Sequence, residues 1–129
     1  MKKIFALLLL PLALAGCSSS IVNLTPSRME RSSDGMYHLE AAWHTSEQAV
    51  RPDSIKPMVM VGYETYEMRP ELVVSNRWET FVPVKTDQNV LHYKYRFDFL
   101  RNKVSAPQDD SKLSPEFNLQ IVDPGTAPK

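Results

Sequence analysis

From Leu91 to Phe99 the chain alternates without exception. Leu91, Tyr93, Tyr95, Phe97 and Phe99 fall on one side, and His92, Lys94, Arg96 and Asp98 on the other. A strict period of two over nine residues predicts a β-strand with one buried and one wet face. Weaker runs of the same kind surround it. Ile21 to Leu24 predicts a first strand. Between Met36 and His44, Tyr37, Leu39, Ala41 and Trp43 alternate with His38, Glu40, Ala42 and His44. Met36, Leu39 and Trp43 also fit helical spacing around a Leu-Glu-Ala-Ala stretch, so that segment reads as either element. Met58 to Tyr63 is a short apolar run suited to a strand buried on both faces, continuing or turning back near Gly62. Trp78 to Val84 is rich in strand-forming residues, and Phe117, Leu119 and Ile121 alternate with Asn118 and Gln120.

Turn chemistry separates these runs: Asp34-Gly35, Pro52, Pro57, Pro70 and Ser75-Asn76. Residues 101–116 read as the longest loop, which makes them the expected variable binding surface. About seven short strands in roughly 100 residues, with no convincing long helix, predict an all-β fold. The expected form is an antiparallel two-sheet sandwich of the immunoglobulin-like kind. In it the Leu91-to-Phe99 stripe would face Trp43, Met58, Met60 and Phe81 across the core. Tyr93, entering its strand after a polar turn, resembles the tyrosine corner of that fold, although the fold's paired cysteines are absent.

The N-terminus follows a different logic. Lys2 and Lys3 precede an apolar run from Ile4 to Leu14, and Leu14-Ala15-Gly16-Cys17 ends it. The run is about half the roughly 20 residues that a membrane-spanning helix needs, and its layout is that of an export signal. Leu14-Ala15-Gly16-Cys17 resembles the lipobox of bacterial lipoproteins. The resemblance implies cleavage before Cys17, a diacylglycerol thioether on that cysteine and acylation of its amino group. Ser18 in the next position implies delivery to the outer membrane of a Gram-negative cell. It also gives a role to the chain's single cysteine, which has no partner for a disulfide. The expected division is a signal peptide over 1–16, a lipidated tether over 17–20, a β-sandwich over 21–123 and a flexible tail over 124–129.

Composition narrows the function. The 15 basic and 15 acidic residues cancel, and loss of Lys2 and Lys3 with the signal leaves two more acids than bases. That balance excludes bulk electrostatic binding of nucleic acid. Some 110 residues suffice for one core, which must rest on apolar packing alone. Candidate chemistry is sparse. His38, Glu40 and His44 share one face of a predicted strand, where neighbours two apart can share a metal, but solvated side chains account for the same pattern. No Gly-x-Ser-x-Gly turn or spare thiol offers a nucleophile, and Asp109-Asp110 sits in polar sequence that keeps both acids in water. No catalytic residue, metal site or cofactor is expected. The wet face of His92, Lys94, Arg96 and Asp98, with Arg101 and Lys103 nearby, reads as a solvated strand face, the alternative being contact with an anionic partner such as lipid headgroups, cell-wall polymer or an acidic protein.

Tyr63, Tyr66 and Trp78 lie near predicted turns and are the candidate ligand-contacting aromatics. With Phe81 and the Tyr93-to-Phe97 run, Trp78 faintly resembles the aromatic pattern of starch-binding-like sandwich modules. The leading expectation is a non-enzymatic interaction or structural module, held on the membrane by lipid and meeting another envelope protein. The alternative is a carbohydrate-binding module that stacks a glycan on exposed aromatics.

Overall fold

The computed structural model describes residues 18–125. The expected signal peptide over 1–16, Cys17 and the last four residues of the expected tail lie outside the described residues. Ten strands follow one another: β1 (Ser19–Asn23), β2 (Arg28–Glu30), β3 (Met36–Thr45), β4 (Lys56–Val61), β5 (Glu64–Glu67), β6 (Arg69–Pro70), β7 (Arg77–Pro83), β8 (Val90–Arg101), β9 (Gln108–Leu113) and β10 (Phe117–Val122). Among the described residues, a single 3-10 turn at Pro52–Ser54 interrupts them.

The strands form two sheets, ordered β1-β3-β7-β6 and β2-β10-β8-β4-β5, with β9 also paired to β8. All pairings are antiparallel except β2 with β10. In the lettering of the immunoglobulin fold, β1, β3, β7 and β6 are strands A, B, E and D, while β4, β8 and β10 are C, F and G. The protein is therefore an all-β, immunoglobulin-like sandwich. Met36–Thr45, open to two readings in the sequence, is a strand because Tyr37, Leu39, Ala41 and Trp43 all reach the core at period two.

The core stripe is as the alternation predicts. Leu91, Tyr93, Tyr95, Phe97 and Phe99 are all buried, and Trp43 of the opposite sheet stacks on Phe97 with ring centroids 5.0 Å apart. Three expected partners of this stripe, on two strands, are wrong by one residue. On β4 the inward residues are Pro57 and Val59, leaving Met58 and Met60 half-buried on the outer side. On β7 they are Thr80 and Val82, so Phe81 faces outward against the His38 ring. An apolar run with no polar alternation does not fix its own phase, and pairing to the neighbouring strand decides it.

Residues 101–116 are not one loop. β9 runs through them, pairing Arg96 with Leu113 at one end and Arg101 with Gln108 at the other. β10 continues the same edge after a bulge in which residues 114–116 oppose Lys94 and Tyr95. There the Tyr95 N–H donates to Ser114 Oγ at 2.8 Å, and the Ser114 N–H donates to the Tyr95 carbonyl at 2.9 Å.

Between β1 and β2 the chain crosses from one sheet to the other, and two buried tyrosines of β8 meet it there. The Tyr95 hydroxyl donates to Asn23 Oδ1 at 2.7 Å and lies 3.0 Å from Thr25 Oγ1. Asn23 Nδ2 donates to the Tyr93 hydroxyl at 2.9 Å, and the Glu40 N–H donates to Thr25 Oγ1 at 2.9 Å. Tyr93 thus bonds across the sandwich, whereas a tyrosine corner would bond back to the chain just upstream of its strand. Burial pushes the Tyr95 phenol well above its ordinary range, so it stays protonated and can donate.

Candidate functional site

The outer face of β8 carries the charged stripe, and its neighbours turn that stripe into one wall of an open groove. β9 and the 3-10 turn supply the other walls. The groove has a volume of about 650 Å³ and is lined by Ser54, Lys56, Arg96, Asp98, Asp110 and Ser111, among others. Its charges are largely compensated from within. Arg96 Nε donates to Asp98 at 2.8 Å, and Arg101 pairs with Asp110 at 3.0 Å and with Glu47 at 3.2 Å. At the other end of β8, His92 lies 3.4 Å from Glu116 and 2.6 Å from the Asn118 side-chain oxygen. The stripe therefore presents alternating charge rather than a basic field. The Ser54 hydroxyl donates to the Arg51 carbonyl at 2.6 Å and accepts the Leu100 N–H at 2.8 Å, so it serves the backbone and is no free nucleophile. Among the described residues, no group of three His, Cys, Asp or Glu side chains could hold a metal ion. The His38 Nε2 lies 2.7 Å from Glu79, on the strand beside it.

The three candidate aromatics lie in different surroundings. Tyr63 occupies the tip of the two-residue hairpin loop between β4 and β5, fully exposed, beside Gly62 at φ +59°. Tyr66 is half-buried, packs against the core, and its hydroxyl donates to Glu64. Trp78 sits on the inward side of β7, half-buried against the core. Among the ring pairs of the described residues, none joins two of the three.

On the outer face of the other sheet, Glu40 stands directly opposite Glu79, and Glu71 joins them. A hydrogen bond with Glu40 raises the Glu71 carboxyl above the usual range, helped by desolvation and by the charges of Glu40 and Glu79. An acid raised in the folded state contributes stability that is complete at low pH and is lost as pH rises through its folded value. Glu71→Gln should accordingly raise the thermal midpoint slightly at neutral pH, and the gain should vanish once the buffer is acidified below the ordinary glutamate range. Paired melts at the two pH values measure this. A neutral-pH midpoint unchanged or lowered by the substitution would contradict the assignment.

One end of the sandwich has a distinct construction. Ser18 is held by both backbone groups: its N–H donates to Ser46 Oγ at 2.9 Å, and its carbonyl accepts the Ser46 N–H at 3.0 Å. Ser19 pairs with Thr45 in the β-ladder, and its buried hydroxyl donates to Glu47 at 2.8 Å. Glu47 also receives Arg101 from the end of β8, which ties the two sheets together at this end. Residues 19 and 20, expected in a loose tether, thus belong to β1. The residue preceding this clamp is Cys17, and residues 1–18 match the family model of the prokaryotic membrane lipoprotein lipid attachment site.

The chain is a bacterial lipoprotein.

The lipoprotein's folded part has distant likenesses among solved structures. The major subunit AggA of aggregative adherence fimbriae type I from Escherichia coli matches with a TM-score of 0.48 and 12% identity, over 83% of this chain and 96% of that one. Murine CRIg matches with a TM-score of 0.42 and 10% identity, over 79% of this chain and 98% of that one. Against curated proteins the lipoprotein has no significant match. Among its described residues no helix is long and apolar enough to cross a membrane.

Proposed function

We propose that this lipoprotein is a non-enzymatic interaction module of the outer membrane of a Gram-negative cell. Lipid on Cys17 holds it there, and the groove along β8 and β9 meets another envelope protein. The observation that carries the reading is the absence of slack between lipid and fold. β1 begins at Ser19, and Ser18 is already pinned to Ser46. Such a domain works at the membrane surface and nowhere else. The groove supports the choice of a protein partner. It is shallow and open, it mixes Lys56 and Arg96 with Asp98 and Asp110, and its exposed edge strand offers backbone groups as well as side chains. Ser54, Asp98 and Asp110 are engaged in backbone bonds and ion pairs, which suits recognition better than turnover. Ser18 beside the lipidated cysteine supports outer-membrane delivery.

The anchoring half is tested by Cys17→Ser. The variant should lose its acyl mass and move from the membrane fraction to the soluble one, because at about 0.8 kcal/mol per buried CH₂ several acyl chains dominate the partition. A wild-type protein lacking acyl mass at Cys17 would refute it. The recognition half is tested with a photo-crosslinking residue in place of Asp109. It should give one defined protein adduct in intact envelopes, whereas a label at Glu30, on β2 beside the opposite end of β8, should not. Equal adducts from both positions, or none from Asp109, would count against the groove.

A further inference from the structure

The end of the sandwich that bears Cys17 also carries two loops with fully exposed aliphatic side chains. The first connects β6 to β7. Ala42 pairs with Arg77, and the Trp43 N–H donates to the Asn76 carbonyl at 2.9 Å, which sets this loop beside the start of β1. Ser18 and Asn76 line the same hollow. At its tip Leu72 and Val73 are 101% and 94% exposed, with Val74 beside them. The second loop connects β8 to β9. Val50 bridges to Arg101, and the Asn102 N–H donates to the Ala49 carbonyl, which sets this loop at the same end. There Val104 is 109% exposed.

Nothing in the folding of the first loop asks for Leu-Val-Val. Its closure comes from the Glu71 N–H donating to the Arg77 carbonyl and from Asn76 in the left-handed region at φ 61°. Polar residues or glycine satisfy both requirements, and they are the ordinary content of such turns. A single exposed aliphatic residue needs no explanation, but aliphatic tips on two loops flanking one attachment point do. Cys17 can lie no farther from Ser18 than one residue spacing, about 3.8 Å between Cα atoms. Because Ser18 is clamped to Ser46, the acyl chains must enter the leaflet next to these loops.

We infer that Leu72, Val73 and Val104 insert into the headgroup and acyl boundary of the leaflet that holds the Cys17 lipid, so that the sandwich stands end-on with the β6–β7 and β8–β9 loops in the membrane. The occupant of this apolar end is the lipid surface. The Cys17 lipid holds the protein on the leaflet, and the loops fix the orientation in which it stands there. The inference rests on lipidation of Cys17 and is independent of what the groove recognises.

The test uses the full lipidated protein in vesicles of phosphatidylethanolamine and phosphatidylglycerol, at low protein density. With Cys17 acylated, a single introduced cysteine takes an environment-sensitive fluorophore. Labels at Leu72→Cys and Val104→Cys should shift to the blue and be quenched by acyl-brominated lipid several-fold more than a label at Tyr63→Cys, on a hairpin at the opposite end. In the Leu72→Asp/Val73→Asp variant the protein should still float with the vesicles, while the label at position 104 loses much of its quenching. Quenching at 72 or 104 no greater than at 63 overturns the inference, including the case in which a protein partner or a second copy covers these loops. A protein that floats without loop quenching refutes the insertion alone; one that does not float refutes the anchor as well.

Discussion

Replacing Phe97 by alanine is expected to cost about 3–5 kcal/mol, the usual range for deleting a buried aromatic ring. The ring is fully buried at the middle of β8 and lies nearly parallel to Trp43, at an interplanar angle of 10°. Trp43 also touches Phe99, with centroids 5.5 Å apart. Removing Phe97 therefore opens a cavity between the sheets and strips one face of the largest core side chain. The loss is a large share of the whole, since total stabilities of small domains are themselves only about 5–15 kcal/mol. Urea denaturation should show a large fall in midpoint with little change in slope. A loss under about 1 kcal/mol would mean that the sheets do not meet at this ring. On the outer face, His92→Ser should stay within about 0.5 kcal/mol of wild type.

Tyr95→Phe removes one oxygen atom and should cost about 1 kcal/mol, the usual net worth of a buried hydrogen bond, because Asn23 Oδ1 keeps the Thr25 N–H and Thr25 Oγ1 keeps the Glu40 N–H. The hydroxyl satisfies Asn23 Oδ1 and meets Thr25 Oγ1, in a position where water has little access. Tyr93→Phe removes an acceptor for one Asn23 N–H and should cost less. Since both phenols share Asn23, the double variant should lose less than the sum of the singles. Chemical denaturation of the four proteins measures the cycle. A strictly additive result would show that the two tyrosines act independently. The network ties β8 to the point at which the chain leaves one sheet for the other.

The parts of this molecule that were legible in its sequence are those where one face is wet and the other dry. β8, β3 and β10 alternate because water lies on one side only, and from them the sandwich could be argued. The attachment site was legible for another reason, since a short linear signal is read by enzymes before folding. Three features left no trace. β9 is exposed along its whole length, so Gln108-Asp109-Asp110-Ser111-Lys112-Leu113 has no hydrophobic period, and only backbone pairing to β8 makes it a strand. The phases of β4 and β7 were hidden because Met58-Val59-Met60-Val61 and Phe81-Val82 are apolar on both sides. The groove escaped detection because its walls come from residues 54, 98 and 110, which pairing alone brings together.

The clamp at Ser18 and the length of β8 together set a working distance. Twelve residues of strand at about 3.3 Å each span roughly 40 Å. The end that carries Tyr63 and the start of β8 therefore lies at most about 5 nm from the leaflet. A domain on a long flexible leader sweeps a volume, as a ball does on a string; this domain is closer to a peg, with fixed height and fixed bearing. Any partner reaching the groove must itself come within that shell and approach side-on. Inserting a flexible glycine-serine segment after Cys17 would keep the lipid and the fold yet surrender both constraints.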